Sequence, residues 1–362
     1  MHTRFRNSLH KLLPALALLA LGAQAAASTL NQNVSWTIDR PGTSSKYRVV
    51  AYGDSIYAGY NGSVTSAAKY SAPTVDAEYL SAQWNAGIES VRRTKSGAIA
   101  SDVYNNKIVA ERSYMQASNT RVVTFEMCGN DGLQARTAFK SQEGSCDYSV
   151  LTAAEASCKT YVTAAMDYIN ANAYAGVKTK VISNLHYPGY TADNTQSSCK
   201  DPSSGATVKM QDRFLLSIAR INHMMCDVAR QKGFMCADNF AQYMGADYDA
   251  NGDGKIDAEA LRYVAGESQS SYVNRVSSTL RSTIRDANTH FVSASSSYDY
   301  IQSDDTHPSY TGSTVTAGLW GGSSGNGAAR YSSFANGKNP IWDQYGHERM
   351  GWAVSIFNAA AP

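Results

Sequence analysis

Gly53-Asp54-Ser55 follows Val49, Val50, Ala51 and Tyr52, a short apolar run rich in strand formers, and leads into Ile-Tyr-Ala-Gly59. A buried strand ending in a tight glycine turn presents a serine at the carboxyl edge of an α/β sheet. That hydroxyl becomes a nucleophile when a base takes its proton and donors hold the oxyanion that forms. The candidate base is His307, in Asp304-Asp305-Thr306-His307-Pro308. One turn of chain brings the Asp304 carboxylate to the imidazole Nδ1, and Asp305 is a rival for that role. A rival serine, Ser323, sits in Gly321-Gly-Ser-Ser-Gly325. The Gly-x-Ser-x-Gly motif needs a strand before it and a helix after it, and this low-complexity Gly/Ser stretch offers neither. Of the other histidines, His186 ends an apolar run and is a candidate to line the site. His223 falls inside a helical pattern and reads as structural, and His347 reads as a helix-start residue.

Four blocks, in order, resemble the SGNH (GDSL-type) hydrolase family. They are Gly53-Asp54-Ser55, Ser96-Gly97, Asn130-Asp131 and Asp304-Asp-Thr-His307. The resemblance implies a flavodoxin-like, doubly wound three-layer α/β/α sandwich with a parallel sheet. It implies Ser55 as nucleophile, His307 as base and Asp304, preferred over Asp305 on the family spacing, as orienter. The oxyanion would be held by the backbone N–H of Ser55, the backbone N–H of Gly97 and the side-chain amide of Asn130. The third block departs from the family's usual Gly-x-Asn-Asp, with Cys128 at the first glycine position.

The elements that must position these residues alternate in type. Strands are expected over Arg48–Tyr52, Arg121–Met127, Thr179–Leu185 and Phe234–Ala237. Helices are expected over Ser101–Ser113, Thr152–Ala173, Val208–Gln231 and Tyr272–Asn288. This alternation by itself argues a doubly wound parallel sheet. The segment before Pro41 reads as a loose lead-in, Tyr60–Tyr79 shows no period, and Gly132–Gly144 reads as a polar excursion. An insertion is expected over roughly 311–340, followed by a closing helix near Gly346.

Residues 1–27 read as an export signal. Arg4, Arg6 and Lys11 precede an apolar run from Leu12 to Leu21, with small residues near Ala25 and Ala27 for cleavage. The apolar run is too short for a membrane span. Residues 28–362 are then expected to form a single, soluble, monomeric domain, secreted or periplasmic. Removing the three basic signal residues takes Lys+Arg from 32 to 29 against 30 Asp+Glu, so the net charge passes from +2 to −1. Nucleic-acid binding has no electrostatic support. Six cysteines in an exported chain favour disulfides, and the absence of Cys-x-x-Cys argues against zinc. Short spacing suggests Cys146–Cys158 and Cys226–Cys236, leaving Cys128 with Cys199.

A second signal, within 247–260, is similar to an EF-hand calcium loop. With Asp249 first, Gly254 takes the sharp-turn position and Ile256 the apolar one. The ligands are then Asp249, Asn251, Asp253, the Lys255 carbonyl and, through water, Asp257. Position 12 is Ala260, so Glu259 or Asp247 must supply the last carboxylate. Calcium is expected to be structural, and no cofactor is expected in catalysis.

The expected activity is hydrolysis of carboxylic esters through an acyl-enzyme. An acyltransferase with a glycan or lipid acceptor would use the same residues. A calcium-stabilised binding protein with an inactive site is the alternative of a different class.

Overall fold

The computed structural model describes residues 31–40, 42–44, 46–60, 71–244, 261–282, 306–308, 350–351, 353–354 and 357. The strands are β1 (Asn31–Ile38), β2 (Lys46–Gly53), β3 (Gly87–Lys95), β4 (Thr120–Phe125), β5 (Thr179–Ser183), β6 (Ser197–Lys200), β7 (Thr207–Lys209) and β8 (Met235–Ala237). The helices are α1 (Ser55–Ala58), α2 (Ala72–Trp84), α3 (Ala100–Asp102), α4 (Gly129–Lys140), α5 (Ser149–Asn172), α6 (Tyr190–Asn194), α7 (Met210–Lys232), α8 (Asn239–Met244) and α9 (Gln269–Ser282). A π-helical stretch, Val103–Val109, continues α3.

The main sheet runs β1-β3-β2-β4-β5-β8, and β6 and β7 form a separate pair. β1 is antiparallel to β3, and the other neighbours in the main sheet are parallel. Taken alone, the five parallel strands have the flavodoxin-like 2-1-3-4-5 order. Its crevice lies where the order reverses, at the carboxyl ends of β2 and β4.

Side chains of the parallel strands alternate between two apolar layers. Val50, Tyr52, Val123, Phe125 and Ile182 join the cluster that includes Val162, Ile169, Phe214 and Ile218 of α5 and α7. Val49, Ile88 and Val122 point the other way and pack with Ala77 and Leu80 of α2. In α7, Met210, Phe214, Leu215, Ile218, Ile221 and Met225 recur at helical spacing and are all buried, as their period requires. His223 is also buried on α7, where its Nε2–H donates to the Glu267 carbonyl at 2.8 Å.

Three expectations are corrected. The segment before Pro41 contains β1, whose polar sequence suits an edge strand paired on one side only. The stretch read as aperiodic contains α2. All ten residues from Ala72 to Ser81 are buried, so the helix has no solvent face to create an amphipathic period. The polar excursion is largely α4, which buries little more than Ala135 and Phe139 beyond its first turn.

The disulfides are Cys128–Cys158, Cys146–Cys199 and Cys226–Cys236, with Cα–Cα distances of 5.5, 4.9 and 5.2 Å. The third pair is as expected, and the first two are re-paired. α5 begins at Ser149, so Cys158 is carried about 13 Å along its axis, beyond bridging distance of Cys146. Cys146 instead lies against β6, its N–H donating to the Lys200 carbonyl at 2.8 Å, beside Cys199.

The signal segment, the calcium-loop residues Asp249, Asn251, Asp253, Lys255, Asp257 and Glu259, the Gly/Ser-rich stretch with Ser323, and Asp304, Asp305 and His347 lie outside the described residues. Of the closing helix, Met350, Gly351, Ala353 and Val354 are described and are helical. Among the described residues no helix is long and apolar enough to cross a membrane.

Candidate active site

Register brings the first three blocks together. Gly53 of β2 lies opposite Thr94 of β3, and Tyr52 lies opposite Phe125 of β4. Three adjacent parallel strands therefore end at one level, and the segments carrying Ser55, Gly97 and Asn130 leave from the same edge.

Ser55 is the first residue of α1 and is 6% exposed. Asp54 caps the helix, its Oδ1 accepting the Ile56 N–H at 2.9 Å. Tyr57 ties α1 down from inside. Its hydroxyl hydrogen-bonds Thr124 Oγ1 at 2.7 Å and Ser183 Oγ at 2.8 Å, at the ends of β4 and β5.

His307 Nε2 lies 2.9 Å from Ser55 Oγ. With the ring proton on Nδ1, Nε2 accepts the serine hydroxyl and can take its proton. The Tyr60 ring lies over the imidazole at 4.2 Å between centroids. The adjoining Thr306 carbonyl accepts a 2.7 Å hydrogen bond from His186 Nε2–H, so His186 anchors the segment that presents His307. That carbonyl only accepts, so the His186 proton is on Nε2.

Gly97 has φ +77°, a left-handed conformation open to glycine at little cost. The preceding turn is held by β1, where the buried Gln32 Oε1 accepts the Ser96 N–H at 3.0 Å. Among the described residues no hydrogen bond occupies the backbone N–H of Ser55 or Gly97. Asn130 Nδ2 donates to Asp54 Oδ2 at 2.9 Å and to the Ala98 carbonyl at 3.0 Å, so both amide hydrogens are engaged. Asp131 grips the same segment, its Oδ2 accepting the Ala100 N–H at 2.7 Å, and burial raises its carboxyl above the usual range.

Cys128 takes φ +82°, the conformation for which a glycine is the usual residue. Its bond to Cys158 ties this backbone to α5. The third block thus keeps a glycine-like backbone with a cysteine in it, held by a covalent link.

Sequence reasoning missed a second carboxyl beside Ser55. Glu126, the residue after β4, is 2% exposed, and its Oε1 accepts the Asp54 N–H at 2.7 Å. Burial pushes Glu126 well above the usual carboxylate range, and the adjacent Asp54 adds to this. Burial raises Asp54 too, opposed by hydrogen bonds from Glu126, Ile56 and Asn130 and by the charge of His307. Gln32, Ala98 and Glu126 belong to no motif, and only their neighbours in space give them a role.

A cavity of about 20 Å³ opens beside Ser55, lined by the apolar Ile56, Leu133, Leu185, Pro188 and Met350 and by polar residues that include Glu126, Asn130 and His186. It has room for one or two water-sized groups.

A serine and an imidazole in hydrogen-bonding contact at a parallel sheet's switch point can make and break a covalent bond at the serine oxygen. No family model matches the sequence, and no curated protein matches it. Among solved structures, the chain is similar to a lipase from a goat rumen metagenome, at 16% identity over 65% of this chain and 96% of the other, with a TM-score of 0.42. It is similar to an extracellular lipase from Streptomyces rimosus, at 18% identity over 62% and 92%, with a TM-score of 0.38. A phospholipase A1 from Streptomyces albidoflavus gives 18% identity over 61% and 89%, with a TM-score of 0.36.

Proposed function

We propose that the chain is an exported serine hydrolase of SGNH type that cleaves carboxylic esters. The observation that carries this reading is the 2.9 Å contact between Ser55 Oγ and His307 Nε2. Ser55 attacks the ester carbonyl while His307 takes its proton, and His307 returns the proton to the leaving alcohol. Water, activated by His307, then releases the acyl group from Ser55. Asp304 is assigned the role of orienting His307.

The oxyanion is assigned to the N–H of Ser55, the N–H of Gly97 and the Asn130 amide. Ala98 accepts one Asn130 hydrogen with a neutral carbonyl. An oxyanion is the stronger acceptor, so it draws that hydrogen as charge develops. Export is supported by three disulfides, which persist in oxidising compartments.

The small apolar cavity beside Ser55 favours a short acyl group, acetyl above longer chains. The oxygen donors of Asp249, Asn251, Asp253 and Asp257 suit Ca²⁺, which we assign a structural role. Steady-state hydrolysis of nitrophenyl acetate by the wild type, Ser55→Ala and Ser323→Ala tests the reading. Activity is expected in the wild type and Ser323→Ala and absent from Ser55→Ala. Equal activity in Ser55→Ala would remove Ser55 from the mechanism.

A further inference from the structure

Two buried carboxyls in contact stand directly behind the proposed nucleophile. Glu126 and Asp54 are 2% and 1% exposed. Glu126 is tied to the Asp54 loop by the 2.7 Å bond from the Asp54 N–H. The two carboxyls are neighbours, and each raises the energy of ionising the other in this buried site. Two adjacent buried carboxylates repel, so one of the pair keeps its proton. The space for this contact is made by Gly53, where a Cβ would stand 2.6 Å from Glu126 Oε1.

Asp54 connects the pair to the machinery. Its Oδ1 holds the Ile56 N–H at the start of α1, and its Oδ2 holds the Asn130 amide. One carboxylate thus fixes both the helix that carries Ser55 and the side chain assigned to the oxyanion.

We propose that Glu126 is a positioning residue that, as a neutral acid, donates its proton to the Asp54 carboxylate and so holds Ser55 and Asn130 in register. This inference rests on Ser55 being the nucleophile. Asp54 is assigned as the ionised partner because the Ile56 N–H and the Asn130 amide both donate to it. Other titratable groups face the pair from each side. Tyr57 lies on α1, Asp131 on α4 and His186 on the loop after β5, and Asp76 of α2 faces Tyr57. Loss of the shared proton leaves two adjacent anions, which drives Asp54 away from Ile56 and Asn130.

The test compares Glu126→Gln with Glu126→Ala. A glutamine accepts from the Asp54 N–H and donates an amide hydrogen to the Asp54 carboxylate, and it does not ionise. Glu126→Gln is expected to keep kcat within about threefold of wild type and to lose from the pH profile the ionisation belonging to the pair. Glu126→Ala is expected to lower kcat by about 10²-fold with KM little changed, the scale of losing one oxyanion donor.

A thermal measurement needs no turnover. Glu126 in the folded chain lies above its ordinary value of 4.5, so the folded state keeps a proton that the unfolded state releases. Its contribution to stability is full below that value and is lost as pH rises through the folded one. The melting temperature of Glu126→Gln relative to wild type should therefore climb as pH rises above that ordinary value. Glutamine as damaging as alanine, alanine as active as wild type, or a pH-independent difference in melting temperature would each overturn the proposal. Fluorophosphonate labelling separates the two failures. A wild type that labels at Ser55 while the Glu126 variants miss these outcomes sinks this inference alone. A wild type that does not label sinks the function, and the thermal comparison still decides the shared proton.

Discussion

Cys128 and Cys158 are bridged across 30 residues, and the bridge holds Cys128 at φ +82° immediately before α4, whose first turn carries Asn130. A non-glycine residue in that region costs about 1–3 kcal/mol and needs surroundings that enforce it. The bridge enforces it here, and closing a loop of this length stabilises the fold by about 3–4 kcal/mol in the chain-entropy account.

Cys158→Ala should therefore lower both the melting temperature and activity. Pairing it with Cys128→Gly should recover much of the lost activity, because glycine takes the left-handed conformation at little cost. Activity and thermal melts of the single and double variants check this. A double variant no better than Cys158→Ala would show that backbone conformation at this position is not what the bridge supplies.

The His186–Thr306 bond should matter for catalysis without touching substrate chemistry. His186→Phe removes the His186 hydrogen bond from the Thr306 carbonyl and loosens the His307 segment, so kcat should fall by about tenfold, the scale of one lost hydrogen bond. His186→Gln offers an amide donor and should restore part of the loss. Acid should not break the bond, because Nε2 keeps its proton when the ring becomes charged. Rates for both variants across pH provide the check.

The proposed preference for a short acyl group rests on the cavity of about 20 Å³ beside Ser55. Rates on nitrophenyl esters should be highest for acetyl and fall steeply by butyryl. Trimming the wall with Leu133→Ala or Met350→Ala should move the optimum toward longer chains. Octanoyl esters turned over as fast as acetyl by the wild type would remove the cavity from the account of specificity.

Calcium, if bound at Asp249, Asn251 and Asp253, should stabilise the fold by mass action and raise the melting temperature with concentration. Chelation should lower it and leave low-temperature hydrolysis measurable, since a serine–histidine pair needs no metal. Melting curves with chelator, for the wild type and Asp253→Ala, test this. Identical curves in every case would make the loop a polar turn.

The parts of the site legible in the sequence were those carried by short motifs on apolar strands. Ser55 and Asn130 each follow an apolar strand expected from the sequence, whereas Gly97 follows β3, whose Glu89, Arg92, Arg93 and Lys95 give no strand signal; parallel register brings the three segments together. Glu126 was illegible because a lone glutamate at a strand end reads as solvated, and only Gly53 and Asp54 in space give it a partner. Gln32 was hidden in β1, whose polar sequence resembles a loop until its pairing with β3 is known. Thr74, Asp76 and Glu78 concealed α2, because polar residues on a helix buried on every side erase the period. The disulfides misled because spacing along the chain ignores the rise of α5 between Cys146 and Cys158.

The central claim is that His307 activates Ser55, two residues 252 positions apart in sequence and 2.9 Å apart in space. A fluorophosphonate reacts with a serine whose proton is removed by a neighbouring base. Incubation with such a probe, followed by peptide mass spectrometry, measures this directly. The wild type should carry one adduct, on the peptide containing Ser55. His307→Ala should label at least about 10³-fold more slowly, because serine and base act as a unit. Labelling elsewhere, or at Ser55 with the same rate in His307→Ala, would contradict the account.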